Sequence, residues 1–459
     1  MVNPEDPIEA AYLVLERAKL VLEGEVIGTV AACDPEIVAA NYQECFIRDF
    51  VPSALVLLMD GDTETVKRFL KTVLNLRHQQ QVMEGHERAL GLLPASFKLS
   101  NNKNEPLQAD FGDRAIGRVA PVDSALWWMI LLRAYTLASD DYEFAHCKAC
   151  QDGIVQILEL YLKESFETSP AMLVPDASFM IDRRMGVYGH PLEIQALFYG
   201  MLTTARELLR PTKKNERLLN MVSTRLSTLR SYVRIYYWLD GQRLNEIHRM
   251  KTEEFGHQIS NVLNIYPEII PDWIDGWLGE GTGYLVGNLG AGRIDFRFFS
   301  FGNLLSIIFG LATTEEGVRI MQLFEEHWEE LIGDMPLKIV YPAEQGERWA
   351  WVTGKDPKNA PWSYHNGGSW PCLLWAFVAA AIQTGRTDLA ERAYHTAMNR
   401  VHKDRWPEYY DGKKGSLIGR RSNFYQTWTA ASVILSHRFI KNPDSFVSFQ
   451  SLMFGQSLD

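Results

Sequence analysis

The chain has 459 residues, enough for two or three average domains or for one large barrel. Apolar residues make up 46% and charged residues 22%, as in a globular protein with a sizeable core. A formal charge of -11, with no dense run of Lys and Arg, argues against a nucleic-acid partner and favours a neutral or cationic small molecule.

The five cysteines are Cys33, Cys45, Cys147, Cys150 and Cys372. Their odd number and irregular spacing argue against a disulfide framework. Cys147-Lys148-Ala149-Cys150 is a lone C-x-x-C with no histidine cluster beside it, so free thiols in a reducing compartment are expected. The acidic start, Met1 to Asp6, lacks the basic-then-apolar order of a signal peptide. The longest apolar run, Cys372 to Ile382, is too short to span a bilayer. These features predict a cytoplasmic protein with no membrane partner.

In chain order, two kinds of helix alternate. Residues 7–23 read as amphipathic, and 48–59 as apolar all round. The same pair recurs as 62–82 then 122–138, 142–162 then 191–209, 213–238 then 300–311, 314–332 then 370–383, and 386–402 then 423–440. Val66, Phe69, Leu70, Val73 and Leu74 illustrate the one-faced spacing of the first kind. The run Ala125 to Leu132 illustrates the second, and a helix apolar on every side is buried on every side. Pro121, Pro191 and Pro371 are placed in the first turns of such helices, where the missing N–H is harmless. Strand patterns are scarce.

Links from a buried helix to the next amphipathic one are short and polar, such as Asp60-Gly61-Asp62. Links in the other direction are long. The pattern predicts an all-α fold, an (α/α)6 barrel or six-hairpin toroid: one catalytic domain over 1–459, with a helical insertion at about 239–299 that includes a short helix near Ile269–Leu278. The first helix pairs with the last to close the ring. All the long links then reach inner helices at their N-terminal ends, on one mouth of the barrel, where long loops on a rigid scaffold build sites.

Those links are rich in polar and flat aromatic residues. They carry Arg48 and Asp49 before the first inner helix, Asp123 at the second, and Asp182, Tyr188 and His190 before the third. Asp295 and Arg297 precede the fourth, Trp362, His365 and Asn366 the fifth, and Trp406 and Glu408 the sixth, on which Tyr425, Gln426 and Trp428 follow. Carboxylates, amides and flat rings around one mouth suit a sugar, whose hydroxyls need paired donors and acceptors and whose C–H face stacks on an aromatic ring. Each also has a structural reading. Asp49 and Asp123 fit helix caps or first-turn dipole partners. Asp182, beside Arg183 and Arg184, fits an ion pair, and His190 fits a cap. The loop tryptophans fit pins that fasten loops to the barrel. His365 has Gly367 and Gly368 close by, which allows close backbone approach. Glycoside hydrolysis needs two carboxyls, and composition alone does not choose them among 57 acids.

The blocks Phe46-Ile47-Arg48-Asp49-Phe50-Val51-Pro52-Ser53-Ala54, Phe179 to Gln195 around Ile181-Asp182-Arg183-Arg184-Met185, His365-Asn366-Gly367-Gly368, and Trp406-Pro407-Glu408-Tyr409-Tyr410-Asp411-Gly412 make the choice. Together they closely resemble the alkaline/neutral invertases, glycoside hydrolase family 100, of cyanobacteria and plants, with a short N-terminus more like the cyanobacterial form. The resemblance implies sucrose hydrolysis to glucose and fructose on an (α/α)6 barrel, with inversion. It implies Asp182 as general acid and Glu408 as general base, both motifs being intact. The glucosyl ring is expected in the −1 position, since similar barrels act on glucosides. From position, Arg48, Asp49, Asp123, Tyr188, His190, His365, Asn366 and Gln426 are expected to bind sugar hydroxyls, and Trp362 and Trp406 to offer stacking faces. No metal or cofactor is expected. Two rival readings are a sugar epimerase or isomerase using His190 and His365 as paired bases, and a non-catalytic sugar-binding protein. The apolar segment Phe446 to Phe454 is expected to pack on the barrel or on a neighbouring subunit of a homo-oligomer.

Overall fold

A computed structural model describes residues 6–36, 40–78, 90–102, 104–112, 120–162, 170–174, 177–181, 183–249, 265–290 and 293–453. Its α-helices in chain order are α1 (Pro7–Arg17), α2 (Ile47–Met59), α3 (Thr63–Asn75), α4 (Asp123–Ser139), α5 (Tyr142–His146), α6 (Lys148–Tyr161), α7 (Leu192–Leu208), α8 (Glu216–Tyr236) and α9 (Gly241–Arg249). They continue as α10 (Ser300–Ile308), α11 (Thr314–Glu326), α12 (Trp328–Leu331), α13 (Gly346–Thr353), α14 (Leu374–Gln383), α15 (Thr387–Met398), α16 (Thr427–Lys441) and α17 (Pro443–Met453).

Helices α2, α4, α7, α10, α14 and α16 each pack on the next, and α16 packs back on α2, closing a ring. These are the segments apolar all round. In α4, every residue from Asp123 to Thr136 is buried. The amphipathic helices lie against this ring: α1 on α16, α3 on α2 and α4, α8 on α7, α11 on α10 and α14, and α15 on α14 and α16. In α3, the buried side chains Val66, Phe69, Leu70, Val73 and Leu74 are the predicted stripe. The fold is therefore the predicted (α/α)6 barrel. Flat rings fill its axis, with Trp127 of α4 6.3 Å from Phe301 of α10, and Phe301 6.4 Å from Trp375 of α14, centroid to centroid.

The C-terminal segment packs on the barrel. Helix α17 lies against α16 and α4, and Phe449 meets Trp375 at 6.0 Å. Buried Arg133 of α4 donates to the carbonyls of Ser451 and Leu452, at 3.2 and 2.7 Å, and so satisfies last-turn acceptors that have no helical partner.

Strands are more frequent than the sequence patterns predict. Helix α1 stops at Arg17, and the expected helix to residue 23 is instead the hairpin Lys19–Leu22 and Glu25–Thr29. Glu23 and Gly24 at its tip both hold positive φ, the backbone of a tight two-residue hairpin turn. The region expected as a helical insertion contains α9 and short 3-10 turns at Pro267–Ile269 and Asp272–Ile274, but also the paired strands Gly283–Gly290 and Arg293–Phe299. The first six residues of Gly283–Gly290 are all buried, so no alternation marks it as a strand. Pro121 and Pro191 also stand just before α4 and α7, in two-residue strands, while Pro371 opens a 3-10 turn.

These strands collar the mouth. His190–Pro191 pairs with Gly283–Gly290, which pairs with Arg293–Phe299, which pairs with Val340–Tyr341. Single bridges join Lys338 to Ser369 and Ser369 to Tyr410. The links feeding inner helices are thus tied to one another by backbone hydrogen bonds, which gives the side chains they carry fixed positions.

Candidate active site

Glu408 sits on the collar, just before the strand Tyr410–Asp411 in the link that leads to α16, and is 3% exposed. Its backbone N–H donates to the Asn423 carbonyl at 2.9 Å and to Ser422 Oγ at 3.1 Å, which fixes the loop. Tyr42 Oη donates to Glu408 Oε1 at 2.6 Å. Burial, and then the charge of Glu408, push the Tyr42 hydroxyl far above its ordinary range, so it remains a donor. Lys358 Nζ lies 3.6 Å from Glu408 Oε2. Among the described residues, Oε2 itself has no hydrogen-bond partner.

Arg48 and Asp49 in the first turn of α2 lie beside Asp123, the first residue of α4. Arg48 Nη1 meets Asp123 Oδ2 at 2.5 Å, and Arg48 Nε is 3.7 Å from Asp49 Oδ1. Burial raises Asp49 to about 7, opposed by Arg48 and reinforced by Asp123 and Glu408. Glu193 in the first turn of α7 is raised to about 8, again by burial, with Arg48 opposing and Asp123 reinforcing. Among the described residues, four carboxyls and one guanidinium thus share this floor. Two of the carboxyls are held toward their neutral forms, in which they can donate a hydrogen bond.

The Tyr364–Trp370 link forms one wall. The His365 ring stacks 4.0 Å from Tyr364 and 5.0 Å from Trp370, and Tyr409 continues the stack 5.5 Å beyond Trp370. Gly368 is required here, because a Cβ would collide with the backbone of Tyr364. Trp362, Tyr364, Arg405, Trp406 and Tyr425 all hold positive φ. Such conformations cost about 1–3 kcal/mol each and gather at functional sites.

Asp182 lies outside the described residues. Its flanks are fixed. Met180 N–H donates to Glu193 Oε1 at 3.2 Å, and Arg184 pairs with Asp356 at 2.9 Å. Helix α13 packs on the 3-10 turn Arg183–Met185. Further along, His190 Nδ1 is 3.1 Å from the Leu289 carbonyl, and burial lowers the pKa of its ring.

The sequence-derived set divides accordingly. Arg48, Asp49, Asp123 and Glu408 come together on the floor, and His365 stands in the aromatic wall. Gln426, just before α16, is fully buried, and among the described residues neither end of its amide finds a partner. Asn366 is committed elsewhere: Oδ1 accepts from Glu344 N–H at 2.7 Å, and Nδ2 donates to the Glu344 and Asn359 carbonyls at 2.9 and 3.1 Å. Its amide braces loops rather than facing the mouth. Trp406 was expected as a stacking face but is 0% exposed, with no ring face open. Trp362 is half-buried, 5.8 Å from Tyr341. Tyr188 is 49% exposed, and its carbonyl is held by Asn288 at 2.6 Å. Tyr42, Lys358 and Glu193 were not singled out from the sequence. Glu193 did carry a signal, a lone charge opening a helix apolar all round.

A closed six-hairpin barrel with a buried carboxylate at its collared mouth is a fold shared with carbohydrate-cleaving enzymes. The chain superimposes on the mannosylglycerate hydrolase of glycoside hydrolase family 63 from Thermus thermophilus with a TM-score of 0.58, at 13% identity, covering 94% of this chain and 100% of that one. A bacterial glucoamylase complexed with acarbose gives 0.57 at 12% identity, over 98% of this chain and 56% of that one. The chain itself belongs to the alkaline and neutral invertase family, whose model matches residues 11–443, and it is a glycoside hydrolase. It is 48% identical to the mitochondrial neutral/alkaline invertase 1 of Oryza sativa subsp. japonica, over 95% of this chain and 71% of that protein. It is 46% identical to the alkaline/neutral invertase CINV2 of Arabidopsis thaliana, over 96% of this chain and 80% of that protein. Among the described residues no helix is long and apolar enough to cross a membrane.

Proposed function

We propose that this enzyme hydrolyses sucrose to glucose and fructose with inversion, with Asp182 as general acid and Glu408 as general base. The observation that carries the reading is the state of Glu408. One of its oxygens is pinned by Tyr42, and the other is buried without a hydrogen-bond partner among the described residues. A base needs that combination of fixed aim and a free lone pair.

Protonated Asp182 donates to the bridging oxygen. Glu408 Oε2 takes a proton from a water that attacks the anomeric carbon on the opposite face. An inverting pair stands about 6.5–9.5 Å apart to leave room for that water. The glucosyl ring occupies the −1 position. Arg48, Asp49, His365 and Gln426 bind its hydroxyls, Trp362 supplies a stacking face, and Tyr188 and His190 line the outer side. Asp123 aims Arg48, while Asn366 and Trp406 keep the loops in register. The family membership and the free state of all five thiols support a sucrose-cleaving enzyme of the cytosol. One of its relatives, at 46% identity, is named cytosolic invertase 1.

The test uses purified wild type, Asp182→Asn and Glu408→Gln with sucrose, followed by release of glucose and fructose. Each variant is expected to lose about 10²–10⁴-fold in kcat. Wild-type-like turnover by either would remove that residue from its role. In ¹⁸O-water, label is expected in glucose; label in fructose would move the cleaved bond to the other side of the bridge.

A further inference from the structure

Among the described residues, Lys358 is the cation within ion-pair distance of Glu408, and its seat is unusual. Its ammonium lies 3.6 Å from Glu408 Oε2, 3.8 Å from the centroid of the Tyr364 ring and 6.0 Å from that of Tyr409. Among the described residues, Glu408 is the one carboxylate within ion-pair distance of it. At 3.6 Å the contact is too long for a hydrogen bond but short for a charge interaction. The aromatic face offers the ammonium a cation–π site worth about 0.5–2 kcal/mol. It therefore holds the charge beside the carboxylate without placing an N–H on the oxygen.

The turn carrying Lys358 is itself held. Asp356 accepts the Lys358 N–H on Oδ1 at 3.0 Å and Asn359 Nδ2 on Oδ2 at 3.0 Å, while Arg184 pairs with the same Oδ2 at 2.9 Å. Asn359 Oδ1 in turn receives the His365 N–H at 3.1 Å. The residues from Asp356 to Asn359 so connect the segment two residues beyond Asp182 to the oxygen of Glu408.

We propose that Lys358 is a positioning residue for the base: seated on Tyr364, it compensates the charge of Glu408 while leaving Oε2 free to accept the proton of the attacking water. The inference rests on the reading of Glu408 as base. A lysine in hydrogen-bond contact would stabilise the carboxylate equally but occupy the lone pair the reaction uses. With no cation there, a carboxylate 3% exposed would face mainly groups that disfavour its charge. Asp49 of α2, Cys372 of the turn before α14 and Tyr409 of the wall all stand near it, and among the described residues Tyr42 is the hydroxyl that donates to it.

The test compares pH–kcat profiles on sucrose for wild type, Lys358→Met, Lys358→Arg and Glu408→Gln, with thermal melts of each. Lys358→Met is expected to move the acid limb to higher pH by about one unit, because a lost neighbouring cation makes the base harder to ionise. Its KM should stay within about twofold, and Lys358→Arg should bring the limb back toward wild type. If the Met variant does not fold, Lys358→Gln carries the same prediction. An unmoved acid limb, or a change confined to KM, would overturn the role of Lys358. High activity in Glu408→Gln would instead overturn the base assignment beneath it, so the two failures are distinguishable.

Discussion

Tyr42 and Glu408 show how a single hydroxyl supports the site. The tyrosine lies in the link before α2 and reaches across the mouth to a carboxylate hundreds of residues later in the chain. A hydrogen bond to a charged group is worth about 1.5–3 kcal/mol, so Tyr42→Phe is expected to lower kcat about 10–100-fold with little change in fold. Steady-state kinetics with circular dichroism would check this, and an unchanged kcat would remove Tyr42 from the aim of the base. At this scale the sequence singles out Asp182 and Glu408 only through the long family motifs that carry them, and the buried, Tyr42-bound state of Glu408 adds to that reading. Tyr42 and Lys358 were not legible. A tyrosine before a helix and a lysine in a loop follow no period, and their importance comes from where the collar brings them. Trp406 misleads for a related reason, since its place in a loop suggests exposure while its ring is fully buried.

The elements carry the site through ties between links. Asn366 makes three hydrogen bonds with Glu344 and Asn359, all inside the protein. Asn366→Ala leaves buried backbone groups unpaired and is expected to cost about 1–3 kcal/mol of stability, with a parallel loss of kcat as the His365 wall loosens. Chemical denaturation would measure the first, and a variant as stable as wild type would contradict the brace. The six inner helices were legible to within a few residues, because a stripe at helical spacing and a run apolar all round are different signals. The outer ones were read too long: α1 ends at Arg17, α3 at Asn75, and the segment expected as one helix over 142–162 breaks at Cys147 into α5 and α6. The collar was not legible. Strands of two residues have no period to read, and a continuously buried strand such as Gly283–Gly290 looks like a helix segment.

For the whole molecule, the buried floor makes stability depend on pH. Glu193 titrates near 8 in the folded protein against an ordinary 4.5, so the folded state holds its proton over a range where the unfolded chain has released it. The stability this contributes is complete below about 4.5 and is lost as pH rises through 8. Asp49, raised to about 7, adds in the same direction. Glu193→Gln keeps an acceptor for Met180 N–H but has nothing to ionise. Its Tm is expected to gain on wild type as pH is raised from about 6 to about 9, whereas parallel curves would contradict a protonated Glu193. Lys338 acts oppositely. Burial lowers it to about 7, so the cost of charging it fades as pH rises from 7 toward 10.5. The axial aromatic core bears on stability at every pH. Trp127→Ala is expected to cost about 3–5 kcal/mol, measured by denaturant unfolding. The closed ring behind these predictions was readable from the alternation of two helix types. The docking of α17 on the barrel was not, since an apolar terminal segment suits a neighbouring subunit equally well until Arg133 is seen capping it.

The central claim is that two carboxyls on opposite faces of the glucosyl ring cleave sucrose in one displacement. Proton NMR of the first glucose released, recorded before mutarotation, tests it most directly. The account predicts β-glucose as the first-formed anomer; α-glucose appearing first would contradict it.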